Sequence, residues 1–229
     1  MGTTLFLSAC GKNYHIQLLK ELHQQGKARE VEAIRRILES YVTLKTTTIY
    51  KGEEDKSVEK SWEGMGIVYG NNVITLDHVV SIYSVREQIT PYMYVESPIE
   101  KIKEETKLND ATLEAKVKDQ KTDIAVFKLP TDYKGAKFPF ELGDSDKVEY
   151  GQEVLLIGNP HGEGYNVREG IVSNKIKNGI FNISALVELG DSGTGTVDRN
   201  TFALLGLNAQ KWWSAVTGVK SINLYKPYL

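Results

Sequence analysis

The chain has 229 residues, with 28 Lys and Arg against 30 Asp and Glu, a formal net charge of −2. This balance builds no basic field for nucleic acid, and 41% hydrophobic with 25% charged residues is a globular rather than a disordered composition. One cysteine excludes an internal disulfide, four scattered histidines make no zinc pattern, and no apolar run reaches the about 18 residues of a membrane span, so neither metal nor other cofactor is expected.

The first ten residues end in Leu7-Ser8-Ala9-Cys10 after a short apolar stretch. The tetrapeptide resembles the lipobox of bacterial lipoproteins, in which the leader is removed and the cysteine acylated. That resemblance implies a chain anchored to a membrane through Cys10 and located outside the cytoplasm, in the periplasm or cell envelope. The competing reading is an incidental thiol on a frayed terminus of a cytoplasmic protein; no basic segment precedes the apolar stretch.

Residues 11–41 read as a helical lead. Ile16, Leu19 and Leu22 recur at about one turn, Gly26 interrupts, and Val31, Ile34, Ile37, Leu38 and Tyr41 form a second apolar stripe. Two short helices packed outside the main fold are expected, in which His15 and His23 lie on the polar side. After residue 41 the period changes. Thr-rich alternation at 42–49 reads as a strand, 52–56 as a solvated turn, and 62–69 with 73–76 as a hairpin around Gly70-Asn71-Asn72. Short β-favouring runs follow at 92–95, 115–118, 124–129, 154–157, 167–173, 180–187, 201–208 and 214–217, and the charged stretch 96–110 reads as a surface loop. Many strands punctuated by Gly and Pro, with little helix between them, predict an antiparallel barrel or sandwich for 42–229.

Three motifs converge on acyl-transfer chemistry. Gly190-Asp191-Ser192-Gly193 offers a serine in a glycine turn, where backbone N–H groups can converge on one oxyanion; the same residues are also ordinary turn formers. His78 closes the run Ile74-Thr75-Leu76-Asp77, which holds it rather than leaving it in solvent. His161 sits in a glycine-rich turn that reads as solvated. Asp123 leads into the apolar strand Ile124-Ala125-Val126-Phe127 and can reach inside the fold to orient a histidine. The chain order His78, Asp123, Ser192 is that of the chymotrypsin triad, and no other triad order agrees with a strand-rich body.

With these residues the sequence resembles trypsin-fold serine endopeptidases, nearest the HtrA/Deg branch. Gly64-Met65-Gly66-Ile67 with Thr75-Leu76-Asp77-His78-Val79-Val80 is similar to its histidine motif, and Thr122-Asp123-Ile124-Ala125-Val126 to its aspartate motif. Gly158-Asn159-Pro160, Gly170-Ile171-Val172-Ser173 and Leu205-Gly206-Leu207-Asn208 are similar to the stretches before and after its nucleophile. The resemblance covers roughly 42–229 and implies two six-stranded antiparallel β-barrels.

It implies Ser192 as nucleophile, His78 as base, Asp123 as its orienting carboxylate, and the N–H groups of Gly190 and Ser192 as oxyanion hole. Backbone at Leu207, Asn208 and Ala209 would pair with an extended or unfolded protein substrate. Leu186, where trypsin carries its pocket aspartate, implies small or apolar side chains there. Where the branch has Gly-Asn-Ser-Gly-Gly-Pro, this chain has Asp191 before the serine and Thr194-Gly195 after it. Digestive proteases use that aspartate to bind an N-terminus freed by cleavage; here no activation site is present, and Asp191 has no obvious partner. No PDZ domain is expected after the protease body. The alternative to an active endopeptidase is a catalytically silent trypsin fold that binds partners.

Overall fold

The structure, a computed structural model, describes residues 24–51, 57–81, 86–90, 93–96, 101–108, 111–159, 164–212 and 216–229. Cys10, His15, His23 and His161 lie outside them. Helix α1 occupies 24–38 and runs through Gly26. An exposed glycine costs a helix only about 1 kcal/mol, which one buried face outweighs. That face is Ala33 and Ile37, with Ile34 and Leu38 partly covered, while Val31 stays exposed. Arg35 pairs with Glu32 and Glu39 on the solvent side.

Strands β1 (Tyr41–Lys51) and β2 (Ser57–Tyr69) pair antiparallel along their whole length, and β2 turns through Gly70-Asn71 into β3 (Asn72–Thr75), as the hairpin signal predicts. Gly70 takes φ +58°, the conformation such a tight loop demands of one residue. The short helix α2 (Asp77–Val80) follows β3. Strands β4 (Arg86–Thr90) and β5 (Met93–Glu96) pair with each other and with no other strand among the described residues. The stretch expected as a surface loop instead carries β6 (Lys101–Leu108), paired to β1. Its alternation was masked by Lys and Glu: Thr106 and Leu108 are buried while Glu105 and Lys107 between and beside them face outward.

The first sheet runs β7 (Ala111–Thr112), β6, β1, β2, β3, β9 (Ile124–Lys128), β8 (Ala115–Asp119). Its two outer strands are consecutive in the chain. Leu113 N–H still bonds Thr106 on the β6 side, whereas the Glu114 carbonyl accepts from Lys128 on the β9 side. Residues 111–119 thus carry both edges of the sheet, which is a half-barrel where a closed one was expected, and six strands line it when β7 and β8 count as one.

The second half is a closed six-stranded barrel in the order β10 (Glu153–Gly158), β11 (Asn166–Lys177), β12 (Ile180–Ile183), β15 (Val216–Ser221), β14 (Leu204–Trp212), β13 (Gly195–Asp198). The run Val154–Ile157 is apolar throughout because both its faces are covered. Val154 and Leu156 belong to the interior of the second barrel with Phe181, Ile183 and Val219. Leu155 and Ile157 belong to the cluster that runs on into the first barrel.

Two buried tyrosines bolt the barrels together. Tyr41 Oη accepts from Gly195 N–H at 2.8 Å and donates to the Ile157 carbonyl at 3.2 Å. Tyr225 Oη donates to the Thr75 carbonyl at 3.0 Å. Burial pushes both phenols up, so both stay protonated donors at any ordinary pH. Replacing Tyr41 by Phe strands a buried N–H and a buried carbonyl. Tyr41→Phe is expected to fold yet lose about 1–3 kcal/mol in urea unfolding with an unchanged m-value.

Candidate active site

Asp123 ends the β8–β9 turn in a left-handed conformation, φ +56°, which Asp tolerates better than most residues. The turn is braced by Asp119. Its carboxylate accepts from Lys121 N–H at 2.9 Å and from the Thr122 hydroxyl at 2.7 Å, and the Thr122 bond holds it below the usual carboxylate range. So aimed, Asp123 accepts His78 N–H on Oδ1 at 2.9 Å and meets His78 Nδ1 at 2.9 Å from Oδ2 and 3.0 Å from Oδ1. A carboxylate can only accept, so the proton sits on Nδ1 and the lone pair of Nε2 faces away from Asp123. The side chain of His78 is 34% exposed and that of Asp123 16%, which leaves the imidazole reachable and its partner sheltered.

The turn that carries Ser192 belongs to the second barrel. Gly190 and Gly193 take φ +97° and +84°, conformations that cost other residues dear. Within the turn Asp191 N–H bonds the Glu188 carbonyl, Gly193 N–H the Asn208 carbonyl and Thr194 N–H the Asp191 carbonyl. The N–H groups of Gly190 and Ser192 have no such bond among the described residues, the pattern an oxyanion hole requires. Thr194 does not distort the turn; its hydroxyl donates to the Asp191 carbonyl at 2.5 Å and accepts from Asn208 Nδ2 at 3.0 Å. Asn208 Oδ1 in turn accepts from Thr196 Oγ1 at 2.6 Å.

Asp191, for which the sequence offers no partner, has one in space. Arg168 on β11 donates Nη2–H to Asp191 Oδ2 at 2.7 Å, and the same oxygen accepts Glu188 N–H at 2.7 Å. Arg168 Nη1 also donates to the carbonyl of Leu186 at 2.5 Å. The side chain of Leu186 itself is exposed.

The two halves of the site meet at Gly193. A Cβ there would lie 2.1 Å from the Met65 carbonyl oxygen and 2.7 Å from Thr75 Oγ1, the residue that leads into Leu76, Asp77 and His78. Beside the turn a cleft of about 410 Å³ is lined by Thr43, Glu63, Gly64, Met65, Asn159, Leu189 and Gly190.

On the other side runs β14, and its three named positions differ. Leu207 is paired on both flanks, with Gly195 and Lys220. Asn208 has its N–H on the Thr194 carbonyl and its carbonyl on Gly193 N–H. From Ala209 onward, no described strand flanks β14 on the side away from β15. Sequence reasoning missed Arg168 and Lys220, since neither lies in a motif and each is placed by register across a barrel. Lys220 is 5% exposed. Burial pushes its amine down, and the charge of Asp123 works against that shift.

A family model described as a trypsin-like peptidase domain matches residues 64–207, more than half of the chain. The chain is 32% identical over 165 residues to a probable periplasmic serine endoprotease, DegP-like, of Bartonella henselae, covering 64% of this chain and 29% of that protein. It is 27% identical over 167 residues to the serine protease Do-like HtrA of Lactobacillus helveticus, covering 65% and 36%. Among solved structures it is similar to the HtrA-type protease AlgW with decapeptide, with TM-score 0.59 and 21% identity over 85% of this chain and 64% of that one. The chain thus spans about a third of the length of these curated relatives.

The position of Lys220 has a consequence for stability. Its proton is held less tightly in the folded chain than in the unfolded one, so protonation costs stability at neutral pH, and the cost fades as pH rises towards about 10.4, the ordinary lysine value. Lys220→Met is expected to raise the urea midpoint at pH 7, and the gain over the parent should shrink steadily between pH 8 and 10.

Proposed function

Because the chain belongs to the family of trypsin-like peptidase domains, we propose that it is a serine endopeptidase using His78, Asp123 and Ser192. The observation that carries the reading is the double grip of Asp123 on His78, through both N–H and Nδ1, on the barrel against which the Ser192 turn is pressed. Ser192 Oγ attacks the scissile carbonyl as His78 Nε2 takes its proton. The tetrahedral oxyanion is met by the N–H groups of Gly190 and Ser192, where losing one donor costs about 2.7–4 kcal/mol. His78⁺ then protonates the leaving amine, and water, deprotonated by the same imidazole, hydrolyses the acyl-enzyme. Asp123 stabilises the imidazolium without taking its proton.

The substrate is an extended or unfolded protein segment. It lies as an added strand along β14 from Ala209, gaining backbone hydrogen bonds that make no sequence demand. Its far side passes over the cleft at Met65 and Gly190. Exposed, apolar Leu186 favours small or apolar side chains on the acyl side. A solved structure similar in fold carries a decapeptide, which supports a peptide as the ligand class. Relatives named as periplasmic support an extracytoplasmic location, and the Leu7-Ser8-Ala9-Cys10 sequence supports anchoring by an acylated Cys10.

A fluorophosphonate probe tests the chemistry. The parent is expected to label, Ser192→Ala not at all, and Asp123→Asn on the order of 10⁴-fold more slowly. Folded parent protein that fails to label between pH 6 and 9 would identify a silent trypsin fold that only binds. Palmitate incorporation by the full-length protein in bacteria, abolished in Cys10→Ser, is expected of the anchored form.

A further inference from the structure

Asp191 is fully buried, next to the nucleophile, and ionic. A carboxylate cannot be left alone in such a place; it needs a cation and hydrogen bonds together. In digestive proteases a freed N-terminal ammonium fills that role. Here the cation comes from inside the second barrel. Arg168 stands on β11 opposite Leu156, its side chain 21% exposed, and its Nη2 lies 2.7 Å from Asp191 Oδ2.

The guanidinium does two things at once. One nitrogen holds the carboxylate that immediately precedes Ser192, and another holds the carbonyl of Leu186 at the entry to the same turn. Both ends of the segment 186–191 therefore hang on one side chain. Asp191 Oδ1 and Arg168 Nε have no hydrogen-bond partner among the described residues, and no second cation among those residues shares the task. Gly158 makes the room: a Cβ there would fall 1.9 Å from Asp191 Oδ1 and 2.7 Å from Arg168 Nη2.

We propose that Arg168 is a built-in activator of the site, a positioning residue that holds the Gly190–Ser192 turn in working shape without any cleaved N-terminus. The inference rests on the serine endopeptidase reading above. Its chemical signature is the titration of the cation. An α-amine loses its charge at about 7.7–8.0 and a lysine at about 10.4, whereas a guanidinium stays charged throughout the range in which proteins remain folded. A site held by Arg168 shows no alkaline loss of activity from this pair, and blocking the chain's α-amine changes nothing.

The test is kcat and KM for an unfolded protein substrate, with fluorophosphonate labelling rates, from pH 6 to 11. The parent and its N-terminally acetylated form are expected to match. Arg168→Met should lose on the order of 10²-fold in kcat at every pH, the scale of a lost oxyanion donor, with KM changed far less. Gly158→Ala should resemble it. Arg168→Lys should recover most activity at pH 7 and lose it again along a new alkaline limb between roughly pH 9 and 11. A residue that only supports the fold would produce no such limb.

Labelling of the parent with kcat unchanged in Arg168→Met, or an Arg168→Lys profile that parallels the parent's, would overturn the inference while leaving the peptidase reading intact. Hydrogen exchange in Ser192→Ala answers even for an inert chain. Adding Arg168→Met must speed exchange at Glu188 and through 191–194; unaltered exchange there sinks the proposal by itself.

Discussion

The contact of Gly193 with the Met65 carbonyl and Thr75 governs the rest of the molecule. His78 and Asp123 are carried by the first barrel and Ser192 by the second, so the three residues come together only where the two halves join. Their register depends on a seam in which no side chain fits at residue 193. Tyr41 and Tyr225 act on the same seam from opposite sides. The first ties the start of β1 to Gly195 and Ile157, and the second ties the C-terminal turn to Thr75. Leu155, Ile157, Leu204 and Leu207 share one apolar cluster with Ile67, Ile74 and Val126, so hydrophobic burial supplies the attraction and the tyrosines set the alignment.

Most buried polar groups around Ser192 are consumed by neighbours in its turn or on β11, β13 and β14, with Asp191 Oδ1 and Arg168 Nε as exceptions among the described residues. Thr196, Asn208, Thr194 and the Asp191 carbonyl form a chain of hydrogen bonds. Asp191's carboxylate passes the constraint on to Arg168 and Glu188 N–H. Removing one member leaves others unsatisfied in a dry place, which is why such networks select a single conformation. The free N–H groups at Gly190 and Ser192 stand out against that background. Thr194-Gly195, a departure from the glycine-proline of the HtrA/Deg branch, is accommodated because the threonine hydroxyl joins the network.

Particular residues show where sequence reasoning reached and where it stopped. The Gly70-Asn71 hairpin and the strand following Asp123 were legible, because turn chemistry and short apolar runs are local. Strand β6 was not: among its described side chains Glu105 and Lys107 face outward, and only Thr106 and Leu108 mark the inward face. Gly26 read as a break, yet the helix passes through it because Ala33 and Ile37 are buried elsewhere in the same helix. The pairing of His78 with Asp123 was legible as residue types in a telling order, whereas the pairing of Arg168 with Asp191 was not, since twenty-three positions separate the two along the chain.

The amino-acid sequence by itself determined the strand-rich class, the order His78, Asp123, Ser192, and the glycines that let a serine turn form, since all of these rest on local propensity and backbone freedom. Only the tertiary structure decided which cation neutralises Asp191, which lysine is buried near Asp123, and where along β14 the backbone is left open. Those depend on register across barrels, where a residue's neighbour is set by strand pairing and not by distance along the chain.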